Sequence, residues 1–302
     1  MCKSGNNLSK ITAKLVCIAL TILIFSQAAI CEVSAETTAA ATPAASATAA
    51  TQTPPNTEAP VMTVDIVIFA GQSNMSGTGG NAALAPAVPN GQGYEFRPMS
   101  DMSGLHQIVE PFGVMESGWL ADPAARKKGS LVSSFVTNYY ARCGVPVVAV
   151  PASRGDTTAG YFASPSVKSE LYARLVNTKT YLEANHIKVR RMFAVWLQGE
   201  SDAIKGTSSA SYKESLSSAF QPLFAAGLDQ VYIITPGRAR GNIFDYSSII
   251  NAQKELCASS DLFTLASTTL TTLPDSYFSD EVHYNQTALN MVGAEAAAVS
   301  AR

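Results

Sequence analysis

From residue 62 onward the chain is punctuated by five short apolar runs of β-forming residues, at 64–69, 145–150, 191–197, 230–235 and 262–266. Runs of this kind, without polar alternation, suit strands buried on both faces of a parallel sheet. Between and after them, apolar positions recur at helical spacing over 129–142, 167–185, 209–226, 246–258 and 286–300. Such strand–helix alternation predicts a three-layer α/β/α sandwich around a five-stranded parallel sheet. Ligands of open α/β sheets bind outside the carboxyl ends of the strands. The chemistry is therefore sought there.

The first 61 residues follow a different pattern. Residues 1–14 carry Lys3, Lys10 and Lys14 and no acid, an apolar-rich run follows over 15–25, and Val33-Ser34-Ala35 supplies small residues after it. That order predicts a secretory signal peptide over 1–35, with a run too short for a comfortable membrane span. A retained membrane anchor is the alternative reading. Lipid attachment at Cys31 is disfavoured by the bulky Ile30 before it. Residues 36–61 are nearly all Ala, Thr, Pro and Ser, too few bulky side chains to offset the entropy of ordering, so they predict a disordered linker. The stretch 62–302 then suits one domain with a sizeable core, secreted or held at a cell surface, with no stable membrane insertion once the signal is removed.

Charge and cysteine usage narrow the function classes. The formal net charge is −2, and without residues 1–35 the chain keeps 18 basic against 22 acidic residues. With no basic stripe, nucleic acid is not the expected partner. Three of the five cysteines fall in the signal. Cys143 and Cys257 remain, to pair in an oxidising compartment or to stay as two buried thiols. No Cys or His spacing resembles a zinc site.

Four polar, glycine-containing segments fall just beyond predicted strands. Gly71-Gln72-Ser73-Asn74-Met75-Ser76-Gly77 follows the first, Arg154-Gly155-Asp156 the second and Gln198-Gly199-Glu200-Ser201-Asp202 the third. Asp280-Glu281-Val282-His283 lies beyond the fifth. A serine hydroxyl is a poor nucleophile until a base takes its proton. Of the three histidines, His186 sits at the opposite end of the predicted sheet, and His106 lies in a long loop with no acid at a fixed spacing. His283 has Asp280 three residues before it. That carboxylate is placed to bend back, orient the imidazole and stabilise the imidazolium formed during attack. Acyl transfer also needs donors for the oxyanion, and the candidates are the Ser73 N–H, the Gly155 N–H and the Gln198 side-chain amide. Glu200 and Asp202 read mainly as anchors of their loop, with Arg154 and Glu200 as candidate substrate contacts. Tyr94, Phe96, Arg97 and Trp119, within 78–119, either floor a sugar site or pack that long segment down.

Together these segments resemble the blocks of the SGNH (GDSL-type) hydrolases, and more narrowly the sialate O-acetylesterase and acetylxylan esterase group of carbohydrate O-acetylesterases. The resemblance runs from Ile68 to about Gly293 and is carried most specifically by Gly71–Gly77 together with Trp196–Asp202 and Asp280–Asn285. It implies a flavodoxin-like fold, Ser73 as nucleophile, His283 as base, Asp280 as its partner, and an oxyanion hole from Ser73, Gly155 and Gln198. It further implies hydrolysis of a small acyl ester, most simply acetyl, on a glycan or polysaccharide, with no metal or organic cofactor. Arg154-Gly155-Asp156 departs from the Gly-Gly-Thr-Ser type of sequence usual in the narrower group.

Rival readings fare worse. A phosphate-binding loop lacks the Gly-Lys-[Ser/Thr] ending, and an α/β-hydrolase would place Ser73 in G-x-S-x-G with its acid on a separate strand. A non-catalytic carbohydrate-binding module leaves the Ser, Asp and His set unexplained. A lipid or aryl esterase of the same superfamily is the serious rival.

Overall fold

The computed structural model describes residues 62–302. The signal peptide and linker read from the sequence lie outside the described residues. Seven strands, not five, form one sheet: β1 (Thr63–Gly71), β2 (Gly93–Arg97), β3 (Asp101–Gln107), β4 (Val147–Ser153), β5 (Lys188–Leu197), β6 (Gln230–Ile234) and β7 (Phe263–Ser267), in the order β3-β2-β4-β1-β5-β6-β7. All neighbours are parallel except β3, which runs antiparallel to β2.

The five apolar runs are β1 and β4 to β7. The two extra strands form an edge hairpin inside the segment read as a long loop. Glycine and charge break up the hairpin's sequence, and β3 has no buried residue, so neither strand shows the continuous buried-strand pattern. β1 lies at the centre of the sheet, with every residue after Thr63 buried. A strand covered on both faces is apolar on both wherever a polar group lacks a partner, which is why its sequence shows no alternation. Asp65, the charged residue in it, accepts from the Tyr139 hydroxyl and from Arg190.

Helices cover the two faces. On one side α3 (Ala159–Ala163), α4 (Pro165–Ala184), α6 (Ser209–Ala225) and α7 (Ser247–Ser259) pack on Ile66, Ile68, Ala194 and Trp196. On the other, α2 (Val132–Cys143) and α8 (Gln286–Ser300) pack on Val67, Phe69, Phe193 and Val195. The sandwich therefore has three layers, as the alternation predicts. Phe135 of α2 meets Phe69 edge-on at 5.2 Å between ring centroids, a favourable aromatic geometry that seats α2 against β1. Two short helices, α1 (Ser73–Ser76) and α5 (Glu200–Ile204), sit directly after β1 and β5. They carry the site.

Cys143 on α2 and Cys257 on α7 remain free thiols, on opposite faces of the sheet. Burial pushes the Cys257 thiol up to about 11, so it is not a nucleophile near neutral pH.

Candidate active site

The turn from β1 into α1 is tight. Gly71 has φ +151°, and a side chain there would overlap the Leu197 carbonyl of β5. Only glycine meets both demands. Ser73 thus becomes the first residue of α1, 3% exposed, and its N–H has no acceptor one turn back. Gln72 ties this turn to the one after β5: its Oε1 accepts from the Ser201 N–H at 3.2 Å and from Gln198 Nε2 at 3.3 Å.

His283 reaches the same rim from the far side. Its Nδ1 pairs with Asp280 Oδ2 at 2.8 Å, while Asp280 Oδ1 accepts from the Val282 and His283 N–H groups at 2.9 and 2.8 Å. Burial works against the Asp280 charge, but the bonds from the His283 ring and the two N–H groups outweigh it and hold the carboxyl below the usual range. With a proton on Nδ1, Nε2 is left as the acceptor a general base needs. The turn is clamped from behind. Asn285 caps α8 by accepting from the Ala288 N–H at 3.2 Å, and its own N–H donates to Tyr277 O at 2.8 Å.

Ser73 and His283 line one small cleft of about 70 Å³, together with Gln72, Asp156, Glu200 and Ile204. No hydrogen bond joins Ser73 Oγ to the imidazole in this structure; such bonds often tighten only around substrate. A larger hollow of about 360 Å³, lined by Ala85, Pro86, Ile108 and Val109, contains no histidine, and its Ser133 hydroxyl donates to Glu110 at 3.0 Å.

The other expected site residues divide. Glu200 lines the cleft but is 3% exposed, with Oε1 accepting from Asn74 Nδ2 at 2.7 Å and Oε2 unpartnered. Burial pushes its carboxyl up to about 7. Gly155 and Gln198 do not line the cleft, and their donors are engaged inside the protein. The Gly155 N–H donates to Asp122 Oδ2 at 2.8 Å, and Gln198 Nε2 donates to Asp202 Oδ2 at 2.5 Å and to Thr157 O at 3.0 Å. A Cβ at position 155 would meet the Asp122 carboxylate at 3.3 Å, so the missing side chain seats that carboxylate rather than opening the backbone to the cleft. Arg154 is likewise turned to structure, its Nη1 donating to Ala121 O at 2.6 Å. Asp202 anchors its loop as the sequence suggests, accepting also from the Ala159 N–H at 2.9 Å.

Of the residues considered for a sugar floor, Phe96 is fully buried against Tyr181 and Arg97 pairs with Glu95 at 2.7 Å; Trp119 is 59% exposed. His106 is on β3 rather than in a loop, 3.1 Å from Asp101 and three strands away from β1. His186 sits in the turn before β5, at the opposite end of that strand from the cleft.

Two residues central to the geometry carried no role in the sequence reading. Asn74 is the staple of the site: its amide donates to Glu200 and to Val282 O (3.1 Å), and accepts from the Tyr284 N–H (3.0 Å), so one side chain joins three segments. Asp122 holds the loop after β4. Among the described residues, no group of three or more His, Cys, Asp or Glu is arranged to hold a metal ion.

Fold and strand-end site agree with the SGNH-type arrangement that the sequence resembles. The family model described as carbohydrate esterase, sialic acid-specific acetylesterase, matches residues 63–302, and the chain belongs to that family. Membership places it among esterases of acetylated carbohydrate. No curated protein matches the chain. Among solved structures, a protein from Arabidopsis thaliana is similar at 18% identity and TM-score 0.61, covering 80% of this chain and 98% of that one. NanS is similar at 13% identity and TM-score 0.51, covering 81% of this chain and 98% of its own. At such identities the likeness is one of fold.

Proposed function

We propose that this chain is a secreted esterase that removes O-acetyl groups from carbohydrate through an acetyl ester formed on Ser73. The observation that carries this reading is the shared cleft of Ser73 and His283, with the imidazole held by Asp280 at 2.8 Å. Attack forms a bond from Ser73 Oγ to the ester carbonyl carbon while His283 Nε2 takes the hydroxyl proton. The carbonyl oxygen becomes an oxyanion and accepts from the Ser73 N–H, the donor left free by the fold. Collapse breaks the bond to the sugar oxygen, which leaves with the proton from His283. Water then attacks the acetyl group, His283 takes its proton and returns it to Ser73 Oγ, and acetate departs. In this reading Gly155 and Gln198 hold the loops that wall the cleft, through Asp122 and Asp202.

The size of the cleft supports a small acyl group. At about 70 Å³ it is far below the roughly 300–1,000 Å³ of sites that enclose a whole ligand. The acyl group enters and the sugar stays outside. Secretion is supported by the basic, apolar and small-residue order of residues 1–35. The test is acetate release from acetylated xylan, O-acetylated sialic acid and acetylated cell-wall glycans, beside p-nitrophenyl esters of rising chain length. Acetate from at least one glycan and a steep fall with acyl length are expected. Equal turnover of long acyl chains with no acetate from any glycan overturns the proposal.

A further inference from the structure

Asp156 stands out at the cleft for two independent reasons. It is one of three non-glycine residues with positive φ among the described residues, at +62°, a conformation that costs energy for most side chains and is tolerated best by Asn and Asp. It also lines the cleft that holds Ser73 and His283, with its side chain 76% exposed. Its carboxylate is fixed in direction by Arg126, whose Nη2 donates to Asp156 Oδ2 at 2.7 Å. A second hold on Arg126 lies behind, where Asp122 Oδ1 is 4.0 Å from Nη1. The left-handed turn and the ion pair together hold this carboxylate at the rim of the cleft.

The charges around the cleft say which ligand. Its lining includes one exposed carboxylate, Asp156, beside the buried carboxyl of Glu200, and no lysine or arginine. The Arg126 guanidinium beside it is already engaged by Asp156, and that of Arg154 donates to Ala121 O. A sugar bearing its own carboxylate needs a free cation, best a guanidinium fork, to compensate the loss of water. A neutral sugar instead offers hydroxyl donors, which an ionised carboxylate accepts well.

We infer that Asp156 is a specificity-determining residue that accepts hydrogen bonds from hydroxyls of a neutral acetylated sugar and disfavours anionic sugars such as sialic acid. This rests on the carbohydrate reading above and narrows it. The neutral glycan lies along the Asp156 side of the cleft with its acetyl group toward Ser73.

The experiment measures binding of an acetylated xylo-oligosaccharide and of O-acetylated sialic acid to Ser73→Ala protein, with and without Asp156→Asn. Asn keeps the size and tolerates the left-handed backbone, so the change isolates the charge. Asp156→Gly, for which that backbone is unstrained, is the second variant. The neutral sugar is expected to bind more tightly than the anionic one, and either variant to shift the ratio toward the anionic sugar by about tenfold or more, the size of a lost charge-assisted hydrogen bond. A ratio that stays put, tighter binding of the anionic sugar with Asp156 intact, or binding of neither sugar overturns the inference. Failure of the acyl-serine reading shows separately, as undiminished acetate release by Ser73→Ala.

Discussion

Glu200→Gln tests whether the site holds a buried acid at an energetic cost. The Glu200 carboxyl is 3% exposed and moves from its ordinary 4.5 to about 7, chiefly through burial and against the bond from Asn74. The folded protein thus binds this proton more tightly than the unfolded chain. Below the unfolded value both states are protonated and nothing is lost. As pH rises through the folded value the stabilisation disappears, because ionisation is easier in the unfolded chain. The interval from 4.5 to about 7 corresponds to about 3 kcal/mol, fully felt above neutrality. Glutamine keeps an oxygen for Asn74 Nδ2 and never ionises. Denaturant titrations of both proteins between about pH 4 and about pH 8 should therefore diverge, with the variant gaining up to about 3 kcal/mol relative to wild type at the upper end. Acids remote from Glu200 titrate alike in both proteins and cancel in the difference, whereas the nearby Asp202, whose charge helps raise Glu200, adds to it in the same direction. A difference that is flat with pH, or that favours wild type as pH rises, refutes the reasoning.

Two further outcomes follow from the same geometry. Asp280→Asn should lower kcat on the order of 10²–10⁴-fold with little change in KM, since the Asn amide offers the wrong partner to Nδ1; steady-state kinetics on an acetyl ester checks this. Asn74→Ala should cost about 2–4 kcal/mol of stability and much of kcat, because it releases the Tyr284 N–H, the Val282 carbonyl and the Glu200 carboxylate together. Urea unfolding and kcat, measured on the same preparation, would show both effects or contradict the staple.

The parallel strands were legible because a strand covered on both faces is apolar at nearly every position. The exception in β1, Asp65, is fully buried and accepts from the Tyr139 hydroxyl at 2.7 Å and from Arg190 Nε at 3.0 Å. The β2–β3 hairpin was not: β3 is the edge strand and has no buried residue, while β2 is short and its apolar pattern is interrupted by Gly93 and by the buried Glu95, which pairs with Arg97. Ser73, Asp280 and His283 could be assembled from sequence through one rule, that strand carboxyl ends share a rim, and one local spacing, Asp280 to His283. The hydrogen-bond partners of Gly155 and Asn74 could not. Asp122 is in the segment before α2, and Asn74 meets groups on segments remote in sequence, so no spacing announces either. The same limit explains Gly155, where a missing Cβ suggests close approach without saying to what. Phe96 shows the converse: an aromatic in a presumed loop looked available for a sugar, but its strand turns it into the core beside Tyr181.

The most direct measurement of the central claim is the mass of the enzyme quenched in acid during turnover of an acetyl ester, followed by peptide mapping. One acetyl group on the peptide containing Ser73, absent from Ser73→Ala, is the expected result. Continued acetate release by Ser73→Ala, or acetyl trapped on another residue, would contradict it.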